Sequence, residues 1–143
     1  ATGYSMSRLY SELNGLNAAC VTVLMDACFS GSKRGEGMLA SARGVALKAK
    51  AEAPKGNMLV MTAAQGSETA YPYKEKKHGL FTYFLLKKLQ ESKGKVTYGT
   101  LFDYVKTNVA QKSVVVNEKS QTPTVAVSGN LVSTWQSIRL NED

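Results

Sequence analysis

Val21-Thr22-Val23-Leu24-Met25-Asp26-Ala27-Cys28-Phe29-Ser30-Gly31 decides how this chain is read. A continuous run of β-branched and aliphatic residues ends in an acid, a cysteine and a glycine turn. Such a run reads as a buried strand that delivers a thiol to its carboxyl end. That edge is where open α/β sheets do chemistry.

The flanking segments extend this pattern. Ser5 is placed to cap a short helix in which Met6, Leu9, Tyr10 and Leu13 recur at helical spacing before Asn14-Gly15 stops it. Met58-Leu59-Val60-Met61-Thr62-Ala63-Ala64 forms a second buried strand, and Gln65-Gly66-Ser67-Glu68-Thr69 is its turn. If the two strands run parallel in one sheet, their ends share an edge, which brings Asp26, Cys28 and Glu68 close together. Tyr71-Pro72-Tyr73 breaks the pattern, and His78-Gly79 introduces an apolar helix over Leu80 to Leu89. A further helix is expected from about Thr100 to Lys112. Thr124 to Val127 reads as an edge strand because Pro123 precedes it, and that edge can pair with a second copy or be covered. Leu131 to Leu140 is open between helix and strand.

Composition narrows the class. The 143 residues suffice for one domain with its own core, and no apolar run approaches the roughly 18 residues of a membrane span. The net charge of +7 raises a nucleic-acid reading. However, Lys33, Arg34, Arg43, Lys48, Lys50 and Lys55 have no interleaved aromatics to stack on bases, so solvated loops are the reading taken, with no nucleic acid and no membrane as partners. Residues 32–57 lack either period and carry six cations against two acids, which marks a basic surface loop or processed linker.

Cys20 and Cys28 bracket the first strand, and at about 3.3 Å per residue they lie beyond disulfide reach. Cys20 fits a small apolar core residue. Cys28 stands between that reading and a nucleophile's: Asp26 and the Ser30-Gly31 turn put polar groups and open backbone beside the sulfur, and its N–H can donate to an oxyanion. A thiol of pKa about 8.5 needs a base or cation beside it to act. His78, the single histidine, reads as a surface or capping residue, and no metal-ligand set is visible.

The run ending Asp26-Ala27-Cys28-Phe29-Ser30-Gly31 resembles the catalytic-cysteine strand of caspase-like cysteine peptidases, closest to the bacterial and metacaspase-type branch. The strand at 57–64, the turn Gln65 to Tyr71 and Gly79-Leu80-Phe81-Thr82 follow in the family's order. The resemblance covers about Thr2 to Asn130. It implies a caspase-like three-layer α/β/α sandwich with a mostly parallel sheet, one domain over 1–143, and a cysteine endopeptidase with Cys28 as nucleophile.

Caspases proper carry glutamine two residues before the cysteine, whereas Asp26 stands there in this chain, as in metacaspases, and implies cleavage after Lys or Arg. Glu68 is a candidate second pocket acid, although metacaspase-type aspartates usually fall slightly earlier, at Gly66 and Ser67 here. Thr69 to Tyr71 correspond to the segment that pairs with the substrate backbone.

In the family the general-base histidine precedes the cysteine by roughly 50 residues, and Ala1 to Ala27 contains none. The resemblance therefore implies the C-terminal part of a peptidase without its first strands, whose base comes from a preceding segment or chain and which is inactive or nearly so alone. Maturation by self-cleavage in the basic loop follows by the same analogy. Calcium activates some metacaspases, yet no dedicated calcium loop is visible, and no cofactor is expected. Two alternatives remain: a caspase-like interaction module that no longer cleaves, and a basic nucleic-acid binder.

Overall fold

The computed structural model describes residues 4–27 and 53–141. Most of the 32–57 loop, together with Cys28, lies outside the described residues.

Helix α1 (Met6–Asn14) begins where Ser5 Oγ accepts the Arg8 N–H at 3.2 Å. That bond satisfies one of the amides a helix start leaves open. Strand β1 (Val21–Met25) pairs in parallel with β2 (Met58–Thr62), with Val21 opposite Met58 and Met25 opposite Thr62. β5 (Thr124–Val127) joins the other side of β2 antiparallel, so the described sheet runs β1-β2-β5. The expected parallel pair and the Pro123-led edge strand are both present.

Alternation along β2 divides the core into two layers. Met58 and Val60 face α1, where they pack with Tyr10, Met6, Leu9, Leu13, Val23 and Met25. Leu59 and Met61 face α2 (Leu80–Ser92) and α3 (Tyr98–Asn117), among Leu80, Phe81, Leu101, Val105 and Val109. The sheet therefore lies between helices on both faces, a small α/β caspase-like arrangement. β2 is buried from Met58 to Met61, whereas β1 is only partly buried. β1 is paired on one side only among the described residues, and Leu24 is 43% exposed.

Three segments differ from the sequence expectation. Tyr71-Pro72-Tyr73 is not simply a break: Pro72–Tyr73 is strand β3, which pairs antiparallel with β4 (His78–Gly79) in a hairpin closed by Lys77 at φ 56°. Helix α3 starts earlier and ends later than expected, capped by Thr97 and running through Val114-Val115-Val116. Those valines are poor helix formers, but Val109 and Ser113 are fully buried and Ser113 Oγ donates to Lys119 O at 2.7 Å, so packing overrides propensity. The tail resolves into short 3₁₀ turns at Gly129–Leu131 and Trp135–Ser137. It returns to the start of α3 through Tyr98 N–H to Ile138 O at 2.9 Å and a Phe102–Trp135 ring contact.

Candidate functional site

Pairing of β1 with β2 continues one step past the strand ends, where the Ala63 N–H donates to Met25 O at 2.9 Å. That bond fixes where the chain leaves the sheet, so Asp26 emerges at the carboxyl end of the parallel pair, two residues before Cys28. Asp26 is half-buried against the start of α2. Its Oδ2 accepts from Thr82 Oγ1 at 2.6 Å and from the Thr82 N–H at 3.3 Å.

Sequence reasoning placed Asp26 at this edge but missed what holds it. Helix α2 is preceded at its N-cap by Gly79, which has no side chain to cap the helix. Thr82 is in the first turn, at the position whose amide a cap ordinarily receives. The Asp26 carboxylate, more than fifty residues earlier in the chain, takes that role from across the sheet. A Cβ built on Gly79 would overlap the carboxylate, so a larger residue there must push the Asp26 side chain aside. A glycine N-cap with a donor three residues on is the signal in the sequence: a helix start whose cap must come from elsewhere.

Glu68 lies beyond the end of β2 and is anchored to the connection between α3 and β5. Its Oε2 accepts the Thr122 N–H at 2.6 Å and its Oε1 accepts from Thr122 Oγ1 at 3.1 Å. Gln65 Nε2 donates to Oε1 at 3.4 Å. Gln121, fully buried, joins the same two segments: its Nε2 donates to Ala63 O at 3.0 Å and its Oε1 accepts the Tyr71 N–H at 2.8 Å. Gln121 thus pins both ends of the 63–71 loop, and Thr122 holds its middle through Glu68. Neither was singled out in the sequence, where they stand in a polar stretch between two elements.

Both main-chain groups of Tyr71 are committed, the N–H to Gln121 and the carbonyl to the Leu80 N–H at 2.9 Å. Thr69 is half-buried and, among the described residues, its main chain has no hydrogen bond. His78 is exposed on β4, opposite Tyr73. Cys20 is a half-buried free thiol 3.9 Å from Thr22 Oγ1. Among the described residues no three His, Cys, Asp or Glu side chains gather as a metal site.

The architecture presents an acid at the carboxyl edge of a parallel pair, anchored to the next helix, with a cysteine following it in sequence. No curated protein matches the chain. The Peptidase_C14 family model, the caspase domain, matches residues 5–131, which takes in every element from α1 to β5. The chain belongs to the caspase-domain family, whose members are cysteine-peptidase hydrolases.

Proposed function

We propose that this chain carries the nucleophile and the specificity acid of a metacaspase-type endopeptidase that cleaves after Lys or Arg. The observation that supports this reading is the placement of Asp26: a half-buried carboxylate, oriented by Thr82, two residues before Cys28 at the sheet's carboxyl edge. A substrate lysine or arginine offers it a charge-assisted hydrogen bond worth about 1.5–3 kcal/mol, which a neutral side chain cannot supply.

In the reaction the Cys28 thiolate attacks the carbonyl carbon after the basic residue, and the carbonyl oxygen becomes an oxyanion that accepts the Cys28 N–H. Collapse breaks the C–N bond, the imidazolium protonates the leaving amine, and a thioester remains. Water deprotonated by the imidazole then attacks the thioester and releases the acid and the thiol. The histidine comes from a preceding segment or a partner chain, since His78 projects from the hairpin into solvent.

Thr69 is the residue whose main chain can extend the substrate as an added strand, while Tyr71, held at both main-chain groups, fixes the end of that segment. Glu68 adds negative charge near the pocket while bracing the loop through Thr122. Lys55, exposed among the described residues, is the basic side chain offered for self-cleavage there, alongside Arg34, Arg43, Lys48 and Lys50 in the same loop.

Peptides varied at the residue before the scissile bond provide the test, with the protein supplied together with its preceding segment. Hydrolysis after Arg and Lys that is lost in Cys28→Ala is expected. Cleavage after acidic residues, or equal cleavage by Cys28→Ala, would overturn the reading. Binding of a partner without any hydrolysis would leave the caspase-like interaction module as the function.

A further inference from the structure

We propose that Thr82 is a positioning residue for substrate selection: through its hydroxyl it sets the orientation of Asp26 and thereby the preference for a basic residue before the scissile bond. The inference rests on the reading of Asp26 as the specificity acid.

Three observations carry it. First, the shorter of the two bonds to Asp26 Oδ2 comes from the hydroxyl, 2.6 Å against 3.3 Å for the amide. Both donors converge on one oxygen, so they hold the carboxylate at one corner and define its plane. Second, the carboxylate lies so close to the helix start that a Cβ at position 79 would displace it. Third, Thr82 belongs to a rigid element. Leu80 and Phe81 beside it are buried to 0% and 1% exposure, and Phe84 and Leu85 on the next turn are also buried.

A carboxylate that selects a guanidinium or ammonium by charge and direction works only if its plane is fixed before the substrate arrives. Asp26 follows the last paired residue of its strand, and the strand by itself does not fix its side-chain torsions. Thr82 adds a restraint on the carboxylate from the start of α2. The same carboxylate therefore caps a helix and faces the substrate, so pocket geometry is tied to the start of α2.

The test uses the peptidase with its preceding segment and a matched pair of peptides, one with arginine and one with norleucine before the scissile bond. Thr82→Val keeps the amide donor and the β-branched shape but removes the hydroxyl. It is expected to lower kcat/KM for the arginine peptide about tenfold, chiefly through KM, while the norleucine peptide changes little. Thr82→Ser, which retains the donor, restores the arginine preference, and Thr82→Ala serves in place of valine if the second methyl group is not accommodated. An equal loss on both peptides would make Thr82 merely structural and overturn the inference, as would an unchanged preference in both Thr82→Val and Thr82→Ala.

Asp26→Asn separates this failure from that of the parent reading. Asparagine still offers an oxygen to the helix but carries no charge. If Asp26→Asn keeps the arginine preference, the assignment of Asp26 itself falls. If Asp26→Asn abolishes the preference and the Thr82 variants keep it, only the role of Thr82 falls.

Discussion

Gln121→Leu is the substitution whose cost the structure lets us work out most fully. Gln121 is completely buried, and among the described residues its amide is the one partner of two main-chain groups at the two ends of the 63–71 loop, the Ala63 carbonyl at 3.0 Å and the Tyr71 N–H at 2.8 Å. Leucine fills a similar volume, so little cavity is made, but both groups lose their partner. An orphaned buried polar group costs about 1–3 kcal/mol, which puts the pair at about 2–6 kcal/mol. Against a total stability of about 5–15 kcal/mol for a domain, that is a substantial fraction. With a urea m-value of about 2 kcal/mol/M, the unfolding midpoint should fall by roughly 1–3 M without a change in slope. Amide exchange at Tyr71 should accelerate more than at Val60 in the middle of β2, because the loop loosens first. A midpoint shift below about 0.3 M, with Tyr71 still protected, would refute the reasoning: the 63–71 loop would then be held by something other than Gln121.

Further outcomes follow from the same contacts. Gly79→Ala should lower stability by more than about 1 kcal/mol, although alanine is the better helix former, since its Cβ displaces the Asp26 carboxylate from Thr82; a thermal melt that rises instead would contradict the steric argument. At the N-terminus the Glu12 carboxyl is held below the usual glutamate range, chiefly by the Tyr4 hydroxyl and then by Arg8. A depressed carboxyl contributes stability above its unfolded pKa and loses it as pH falls through the folded value. Glu12→Gln should therefore flatten a small part of the acid limb of the melting profile and leave the alkaline side of that window lower than wild type; coincident acid limbs would remove the Tyr4–Glu12 contact from the account.

The elements legible in the sequence are those specified locally. The Ser5 cap, the Met6-Leu9-Tyr10-Leu13 spacing, the apolar runs at 21–25 and 58–62 and the proline before β5 each report their own structure. What remained illegible depends on partners distant in sequence. The valines at 114–116 favour a strand until the buried face of α3 carries them, and the tail takes its shape from the main-chain bonds it makes to Val96 and Tyr98. At the site the same division holds. Asp26 could be placed at the sheet edge from its position after β1, but Thr82, Gly79, Gln121 and Thr122 act through contacts made across fifty or more residues. Only the unusual glycine at the start of α2 hints at one of them.

The proposed role of Cys28, a nucleophile beside a pocket selective for a basic residue, has a direct chemical signature. A peptide ending in an arginine chloromethyl ketone, whose chloride leaves as the thiolate forms the C–S bond, probes it, with the protein supplied alongside its preceding segment and the product mapped by mass spectrometry. One adduct per chain is expected, on Cys28, formed much faster than with the matching norleucine peptide and slowed to that rate in Asp26→Asn. Labelling of Cys20 instead, or equal rates for the two peptides, would contradict it.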